Sequence, residues 1–212
     1  METAICTTIK SIARDQWEAC RSSKGNGDPF LSYDFFSLLE TSNSIGRNTG
    51  WAPFYIAFKE KNVVVGIIVS FLKSHSQGEY VFDHSWADAY ERSGGNYYPK
   101  LQVAVPFTPV SGERILVREE YEDRVDEMLS SAKRLVKENN LSSLHITFCN
   151  SSFVCVAKKN SLLIREGIQY HWFNRDYKSF EDFLASLTHR KRKNITKERK
   201  QARNFGGKIK SL

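Results

Sequence analysis

The amino-acid sequence predicts an α/β (α+β) fold in which a mixed central sheet is flanked by helices. Strand and helix patterns alternate from residue 52 onward, residues 63–72 form an almost wholly apolar run, and residues 118–140 follow the spacing of an amphipathic helix. A strand that is apolar on both faces belongs in the middle of a covered sheet. This order of elements is typical of helices layered on a mixed sheet.

The first elements are a predicted strand at residues 4–9 and a predicted helix around residues 15–22. A loop that contains glycine and proline then interrupts the pattern. Ser32 is the expected N-cap of a second helix at residues 33–40, where the apolar residues recur at helical spacing. That helix is expected to end before the polar loop at residues 41–50.

The next segment is predicted to be a β-hairpin, with arms at residues 54–60 and 63–72 and a turn at Lys61-Asn62. A short strand is expected at residues 78–83. Residues 83–95 are then expected to form either a short helix or an ordered loop.

A further strand is predicted from Lys100, and two prolines, Pro106 and Pro109, interrupt it. Proline lacks the N–H group that a sheet ladder requires, so regular pairing should end there. Backbone groups around Thr108 would then be free for another use, such as polarising a carbonyl group in the manner of an oxyanion hole.

The amphipathic helix at residues 118–140 is followed by three more predicted elements. They are a strand at residues 143–148, a short helix at residues 151–160, and a hairpin or long strand pair at residues 162–177.

The chain is predicted to divide near Arg175 into one domain at residues 1–175 and the beginning of a second at residues 176–212. Ser179 and Asp182 match the capping-box pattern of a helix start. A basic helix and the segment GGKIKSL follow, and the latter resembles the first residues of a strand. A strand without a following partner favours a truncated chain or a partner supplied elsewhere.

Positive charge is concentrated in one segment. The chain has 31 basic and 24 acidic residues, a net charge of +7, and residues 188–203 alone carry eight Lys or Arg and one Glu. We therefore expect a local anion-binding site rather than a broad basic surface, formed by Arg190, Lys191, Arg192 and Lys193. The alternatives are a nucleic-acid-binding module or a merely solvated helix.

The cysteines predict reduced thiols in a cytoplasmic protein, because no CxxC pair occurs among the four. We expect no membrane span, since the longest apolar run has only about ten residues. No metal site is expected either, because His145, Cys149 and Cys155 lack a fourth ligand at zinc-finger spacing. The common ATP and dinucleotide fingerprints, GxxxxGK[ST] and GxGxxG, do not occur.

The densest group of titratable residues lies in GEYVFDHSWADAY, which carries Glu79, Asp83, His84 and Asp88 among aromatic side chains. Such a setting can shift carboxylates toward general-base chemistry. It can equally be a buried polar network that ties a loop to the sheet, and both interpretations stay open.

Lys73, His75, Lys100 and Gln102 lie at or near the ends of predicted strands. Ligand crevices in α/β folds often form at strand ends. The alternative is a set of solvated strand ends, since position alone is a weak signal.

Several motifs together resemble the FemAB-like family of peptidoglycan biosynthesis/recognition, within the GNAT-like acyltransferase superfamily. They include NGDPFLSYDFFSLLE, TGWAPFYIAF, LKSHSQGEYVFDHSWADAYERSGGNYYPKLQVAVPFTPVSGERIL, SSLHITF, GIQYHWFNRDYKSFEDFLASL and RKRKNITKERK. The resemblance covers nearly the whole chain. It implies a GNAT-like domain followed by the beginning of a second one, because family members resemble two such domains in tandem.

The resemblance further implies transfer of an acyl or aminoacyl group to an amine of cell-wall or peptide type, with acyl-CoA or aminoacyl-tRNA as the donor. The residues that match the family's polar motif positions are then candidates for two roles. Catalysis would fall to Glu79, Asp83 and Asp88. The substrate groove would be lined by Lys73, His75, Tyr98, Lys100, Gln102 and Thr108.

In GNAT domains the start of the corresponding helix holds the pyrophosphate of CoA. Here that start is filled by Glu119, Glu120, Glu122 and Asp123, which would repel a phosphate. The resemblance therefore places the donor site in the second domain or the interdomain cleft. A further alternative is an inactive fragment that lacks half of its active site.

Overall fold

The computed structural model describes residues 1–21, 27–81 and 83–207. The chain forms two compact units, Met1–Arg165 (unit 1) and Glu166–Leu212 (unit 2). The predicted division near Arg175, and the GNAT-like character of the second part, stay predictions.

The strands of the described residues all lie in unit 1. They are β1 Glu2–Cys6, β2 Trp51–Pro53, β3 Tyr55–Glu60, β4 Val63–Ile68, β5 Ser70–Lys73, β6 Lys100–Val103, β7 Ile115–Val117 and β8 Leu144–Ile146. They form a first sheet, in the order β1-β3-β4-β7, and a second sheet, in the order β2-β5-β6-β8. Neighbouring strands are antiparallel except β6 and β8, which are parallel.

Helices occur in both units. Unit 1 has α1 Arg14–Arg21, α2 Tyr33–Thr41, α3 His84–Arg92, α4 Val125–Glu138 and α5 Ser151–Lys159, and unit 2 has α6 Phe180–Ala185 and α7 His189–Arg203. The mixed α/β fold that the sequence predicts is therefore confirmed. None of the described helices is long and apolar enough to cross a lipid bilayer.

The two sheets are continuous along their strands. Only Phe54 separates β2 from β3, and only Val69 separates β4 from β5. The Phe54 N–H donates to the Ser70 carbonyl at 2.9 Å, and the Ala104 N–H donates to the Val69 carbonyl at 3.3 Å. One long hairpin thus runs through both sheets. Its turn, Lys61-Asn62, has left-handed backbone angles, as the tight turn of a β-hairpin requires.

Two apolar cores cover the two faces of this hairpin. On one side, α1 and α2 pack around Trp17 and Tyr55, which are fully buried, and the Trp17 indole N–H donates to the Leu31 carbonyl at 2.9 Å. On the other side, α4 and α5 cover a second apolar cluster. Ile67 contributes to the first core and Ile68 to the second. The prediction of a central strand that is apolar on both faces is therefore confirmed.

Most of the predicted helices are present. Ser32 caps α2 and its hydroxyl accepts from the Phe35 N–H at 3.3 Å, while Ser179 caps α6 and accepts from the Asp182 N–H at 3.1 Å. The segment at residues 83–95 contains the helix α3 rather than an ordered loop. The predicted amphipathic helix begins later than expected, because Glu119–Arg124 form a 3₁₀ turn before α4.

Two predicted strands are wrong. No strand forms in the described part of residues 78–83, because positive φ angles at Gly78 and Tyr80 break an extended path. Residues 162–177 contain no strand pair either, and Leu163 and Tyr170 are at least 95% exposed, so the alternating pattern has no sheet to pack on. Two other predictions lie partly outside the described residues: residues 24–26 of the predicted loop at 24–29, and residues 208–212 of the predicted strand at 206–212.

Candidate functional site

One face of the second sheet is apolar, and the other carries polar side chains together with the buried aromatic residues Trp51 and Phe71. Strand pairing places Lys73 opposite both Trp51 and Lys100, and Gln102 opposite His145. Residues directly opposite one another project to the same side of a sheet, so these five side chains share one face, which we call the polar face. The alternate residues of β6 project to the other side and join the apolar core under α4.

The polar face holds a buried cluster of four charged side chains, which we call the charge cluster: Lys73, Glu79, Asp83 and Lys100. None of the four is more than 3% exposed. The Lys100 Nζ lies 2.9 Å from Glu79 Oε2 and 2.7 Å from Asp83 Oδ2, and it also donates to Ser76 Oγ at 3.1 Å. Because buried charges are costly unless they are paired, this ammonium group holds both carboxylates in place.

Lys73 is the less tightly bound cation of the charge cluster. Its Nζ lies 3.9 Å from Glu79 Oε1, donates to the Gln77 carbonyl at 3.2 Å, and stands 3.6 Å from the centre of the Trp51 ring. Burial, and secondarily the neighbouring Lys100 charge, lower the pKa of Lys73 to about 7 against the opposing attraction of Glu79. This amine therefore exchanges a proton near neutral pH.

The two carboxylates of the charge cluster have opposite pKa shifts. Burial raises the pKa of Glu79 above its ordinary value, although its ion pairs with the lysines oppose this. Burial also acts to raise the pKa of Asp83, but hydrogen bonds from Lys100, Ser76 and Tyr97 outweigh it and hold the value at about 2. Asp83 is thus a fixed anion, whereas Glu79 is the carboxylate that takes up a proton more readily.

Three buried oxygen atoms beside these charges have no hydrogen-bond partner among the described residues. They are Glu79 Oε1, Asp83 Oδ1 and Gln102 Oε1. The amide group of Gln102 is oriented by its own donation to Thr147 Oγ1 at 3.1 Å. All three unpaired atoms are acceptors, so the group that would satisfy them is an N–H or O–H donor.

His145 extends the polar face beside Tyr97, and the two ring centres lie 5.9 Å apart in an edge-to-face arrangement. Burial, followed by the nearby Lys100 charge, lowers the pKa of His145 to about 4. The imidazole is therefore neutral at physiological pH.

Replacing His145 with glutamine should remove part of the acid sensitivity of unit 1. The folded pKa of His145 lies below the ordinary value of 6.5, so the unfolded chain binds the proton first as the pH falls from about 6.5 to 4. Wild type should lose about 2 kcal/mol through this histidine between pH 7.5 and pH 4.5, and His145→Gln should not. Urea unfolding at the two pH values measures the difference. His84→Gln, at an exposed position on α3, is the matched control, and equal pH dependence in all three proteins would contradict the assignment.

The structure brings some of the other predicted site residues to the charge cluster and leaves others apart. Tyr98 joins through Ser76, because their hydroxyl oxygens lie 2.7 Å apart. His75 packs over Gly50, where an added Cβ would lie 2.0 Å from the imidazole Nε2. Thr108 donates to the Pro106 carbonyl at 2.9 Å in the loop after β6. Asp88 is exposed on α3, and no hydrogen bond or ion pair within the described ranges joins it to the charge cluster.

Pro106 and Pro109 predict that backbone N–H groups in the loop at residues 104–114 have no partner, but two of these groups do have one. The Phe107 N–H donates to the Gly78 carbonyl at 3.2 Å, and the Gly112 N–H donates to the Phe148 carbonyl at 3.0 Å. Both donors are therefore used to hold the loop against its neighbours. An oxyanion hole at these two groups is not supported.

Sequence reasoning missed Arg114, which organises this loop. The side chain is 1% exposed, and its guanidinium donates to three backbone carbonyls, those of Thr147 at 2.8 Å, Glu113 at 2.7 Å and Val110 at 2.6 Å. The available signal was a lone cation immediately before the apolar run of β7. Trp51 and Tyr97 were also missed, because single aromatic residues in a sequence are typical of any core.

The four residues predicted to bind an anion lie in the first turns of α7 and are all exposed. Consecutive residues of an α-helix point about 100° apart, so Arg190, Lys191, Arg192 and Lys193 do not share one face. A groove of about 350 Å³ runs instead along a different set of α7 side chains, at helical spacing: His189, Arg192, Lys193, Thr196, Lys197 and Lys200. We call this set the basic face.

Comparison with known proteins identifies a protein family and solved structures that are similar to this chain. The model of the FemAB-like family, described as peptidoglycan biosynthesis/recognition, matches residues 8–212. No curated protein matches the chain. The structure is similar to the apo aminoglycoside antibiotic 6'-N-acetyltransferase AAC(6')-IG of Acinetobacter haemolyticus, with a TM-score of 0.43 and 12% sequence identity over 84% of this chain and 100% of that one.

Proposed function

The chain belongs to the FemAB-like family of peptidoglycan biosynthesis/recognition proteins, and from this premise we propose that it takes part in transferring an acyl or aminoacyl group to an amine. The polar face of the second sheet would bind the amine of the acceptor. Three buried acceptor atoms on and beside that face, Glu79 Oε1, Asp83 Oδ1 and Gln102 Oε1, accept no hydrogen bond from any described residue, and this observation carries the proposal.

An ammonium group complements this set of atoms. It has three N–H donors and no acceptor, and two of the three unpaired oxygens belong to carboxylates. Hydrogen bonds between charged partners are about twice as strong as neutral ones. The side chains of Lys100 and Gln102 project from the same side of β6, two residues apart, so the amide neighbours the lysine that binds both carboxylates.

The charge cluster also contains groups that can accept the acceptor's proton. In the proposed reaction the bound ammonium group first gives one proton to a neighbouring base, and the neutral amine then attacks the carbonyl carbon of the donor. A C–N bond forms, the bond to the thiol sulfur or ribose oxygen of the donor breaks, and the second nitrogen proton goes to that leaving group. The first proton needs an acceptor in the site. Lys73, with a pKa of about 7, and Glu79, with a raised pKa, are the neighbouring groups that can take it near neutral pH.

Access to these groups depends on the chain segment that comprises residues 74–81 and Asp83. Glu79 is 3% exposed and Asp83 is 2% exposed, and Tyr97 and Tyr98 pack beside them. An acceptor therefore reaches the unpaired oxygens only when this segment moves aside. Such gating is common in enzymes that exclude water from the reacting groups.

The donor is proposed to be an acyl-CoA or an aminoacyl-tRNA, and the acceptor an amine of cell-wall or peptide type. The start of α4 is an unsuitable place for the phosphates of either donor, because Glu119, Glu120 and Glu122 fill the turn that precedes it. We propose that the donor binds in the second domain. Localisation in the cytoplasm is part of the same proposal.

The test is turnover with a panel of acyl-CoAs and charged tRNAs against amine acceptors, with Gln102→Leu as the variant. Loss of one N–H acceptor should raise KM for the amine about tenfold and change kcat little, because the contact is made in the ground state as well. Glu91→Gln, at an exposed position of α3 with no proposed role, is the control.

The possible outcomes separate the two parts of the proposal. No turnover with any donor would overturn the acyl-transfer function and favour the inactive fragment. Turnover with an unchanged KM in Gln102→Leu would keep the function and overturn the position of the amine site.

A further inference from the structure

Unit 2 contains a cavity that shares no residue with the polar face. Its walls are formed by four aromatic rings, those of Trp172, Tyr177, Phe180 and Phe183, and we call it the aromatic pocket. The cavity has a volume of about 550 Å³. The Tyr177 and Phe183 ring centres lie 5.6 Å apart and nearly perpendicular, and the Trp172 and Phe183 ring centres lie 6.2 Å apart.

These rings do not form an ordinary apolar core. Trp172 is 65% exposed, and no residue of α6 or α7 is buried. Exposed aromatic faces that converge on one cavity are typical of a binding site rather than of packing. Three polar residues also line the pocket, Asn174, Lys178 and Ser179, and their side chains carry hydrogen-bond donors that a ligand with polar edges could use.

The basic face of α7 provides the second observation. At about 100° per residue its members fall within an arc of about 140°, and Arg203 lies in the same arc. Glu198, the only acidic residue of α7, lies on the opposite side of the helix. The uncompensated charge is therefore on one side, and it is exposed along the whole length of the helix, about 22 Å.

Helix polarity adds to this charge. The first turn of α7 contains no acidic residue, and the Thr188 side chain makes no capping hydrogen bond. Cations at the positive end of a helix dipole destabilise the helix unless an anion is close. An anionic ligand on the basic face would remove this penalty.

The aromatic pocket and the basic face are joined inside unit 2. The Arg199 guanidinium lies 3.9 Å from the centre of the Phe180 ring. The Arg192 Nη2 donates to the carbonyls of Ala185 and Leu187, at 3.3 and 3.1 Å. The two arginines lie at the edge of the basic face, so the aromatic pocket adjoins that edge.

We propose that unit 2 binds single-stranded nucleic acid, with phosphates along the basic face and an unstacked base in the aromatic pocket. A row of cations attracts phosphates of any sequence, and aromatic rings stack on the flat face of any base. In a duplex the bases are already stacked and paired, so they cannot enter the pocket. The inference does not depend on acyl transfer, because it uses no residue of the charge cluster.

The experiment measures binding of the full chain to a labelled single-stranded RNA of twelve nucleotides by fluorescence anisotropy. Parallel arms use single-stranded DNA, the duplex of the same sequence, heparin, and vesicles of anionic lipid. We expect binding to both single strands, at least tenfold weaker binding to the duplex, and affinity that falls with salt with a log–log slope of about −2 to −4.

Two substitutions separate the phosphate contacts from the base contact. Lys197→Gln, on the basic face, should weaken binding about threefold or more and reduce the salt slope by about 0.7. Lys191→Gln, on the opposite side of the same helix, should change neither quantity and is the matched control. Trp172→Leu should weaken single-strand binding about fivefold or more and leave the salt slope unchanged.

Circular dichroism of each variant checks that the helices persist. The proposal would be overturned by the absence of salt-dependent binding, or by equal effects of Lys197→Gln and Lys191→Gln. Tighter binding to heparin, vesicles or duplex than to single strands, together with an unaffected Trp172→Leu, would also overturn it, because the pocket would then not contact a base.

Discussion

Replacing Lys100 with methionine is expected to lower the free energy of unfolding by about 3 to 5 kcal/mol, because it leaves an uncompensated buried charge. The ammonium group binds Glu79 at 2.9 Å and Asp83 at 2.7 Å, and all three side chains are almost fully buried. Methionine has a similar length but no donor. The only remaining cation of the charge cluster, Lys73, lies 3.9 Å from one oxygen of Glu79.

Urea unfolding of wild type, Lys100→Met and the exposed control Asp88→Asn at neutral pH measures this effect. The control should lie within about 0.5 kcal/mol of wild type. Adding Asp83→Asn to Lys100→Met should recover part of the loss, because one of the two unpaired carboxylates is then neutral. A loss below about 1 kcal/mol in Lys100→Met would show that the charge cluster is solvated.

The part of the stability that depends on Asp83 should also change with pH. Its folded pKa of about 2 lies below the ordinary value of 3.8, so its contribution to stability is present above about pH 4. That contribution should be lost as the pH falls toward 2, by about 2 kcal/mol in wild type. In Lys100→Met this acid-dependent part should be much smaller, since the largest stabilising partner of the carboxylate is gone.

Replacing Arg114 with methionine is expected to cost about 3 kcal/mol, since three part-buried backbone carbonyls lose a charged donor. Two of those carbonyls, of Val110 and Glu113, lie in the loop at residues 104–114, and the third, of Thr147, directly follows β8. Arg114 therefore joins this loop to the end of β8. Burial lowers the pKa of Arg114 only to about 10, so the guanidinium stays charged at neutral pH.

Arg114→Lys distinguishes loss of hydrogen-bond geometry from loss of charge. One ammonium group cannot reach three carbonyls that a planar guanidinium spans, so we expect it to recover less than half of the loss. Urea unfolding gives the stability, and limited proteolysis within residues 104–113 should accelerate in both variants. A lysine variant as stable as wild type would show that only the charge matters at this position.

The central hairpin and most helices could be predicted from the sequence because their signals are local. Lys61-Asn62 between two apolar runs is a turn signal, and Ser32 precedes a helical spacing of apolar residues. The segment at residues 162–177 shows the limit of this reasoning. Its alternation of apolar and polar side chains predicts strands, but a strand also needs a partner, and pattern alone contains no information about one.

The charge cluster could be predicted only in part. The sequence shows Glu79 and Asp83 close together, and Lys100 and Gln102 alternating with apolar residues, which is the pattern of a strand with one solvated side. The structure covers that side, because the chain after β5 folds back over it and Tyr97 approaches from the other end. Such burial depends on contacts between segments that are distant in the chain, so a local sequence pattern cannot predict it.

The basic helix was visible in the sequence, but the aromatic pocket beside it was not. Trp172 and Phe183 lie on segments of different conformation, and the chain turns between them at Asp176, where φ is 61°. Beyond this turn the chain brings the two ring centres to 6.2 Å from each other. The sequence pattern around Trp172 is equally compatible with a strand, which was the prediction.

The uninterrupted hairpin that passes through both sheets makes unit 1 a single cooperative block. Only Val69 separates β4 from β5, so loss of strand pairing in the second sheet should disturb the pairing in the first. We therefore expect the two sheets to unfold in one transition. Destabilising substitutions in the apolar core around Trp17 would then lower the fraction of folded molecules, and with it the fraction in which the polar face is formed. They would do so without changing any side chain of the polar face. Activity lost through such a substitution would reflect the amount of folded protein, and activity per folded molecule would be unchanged.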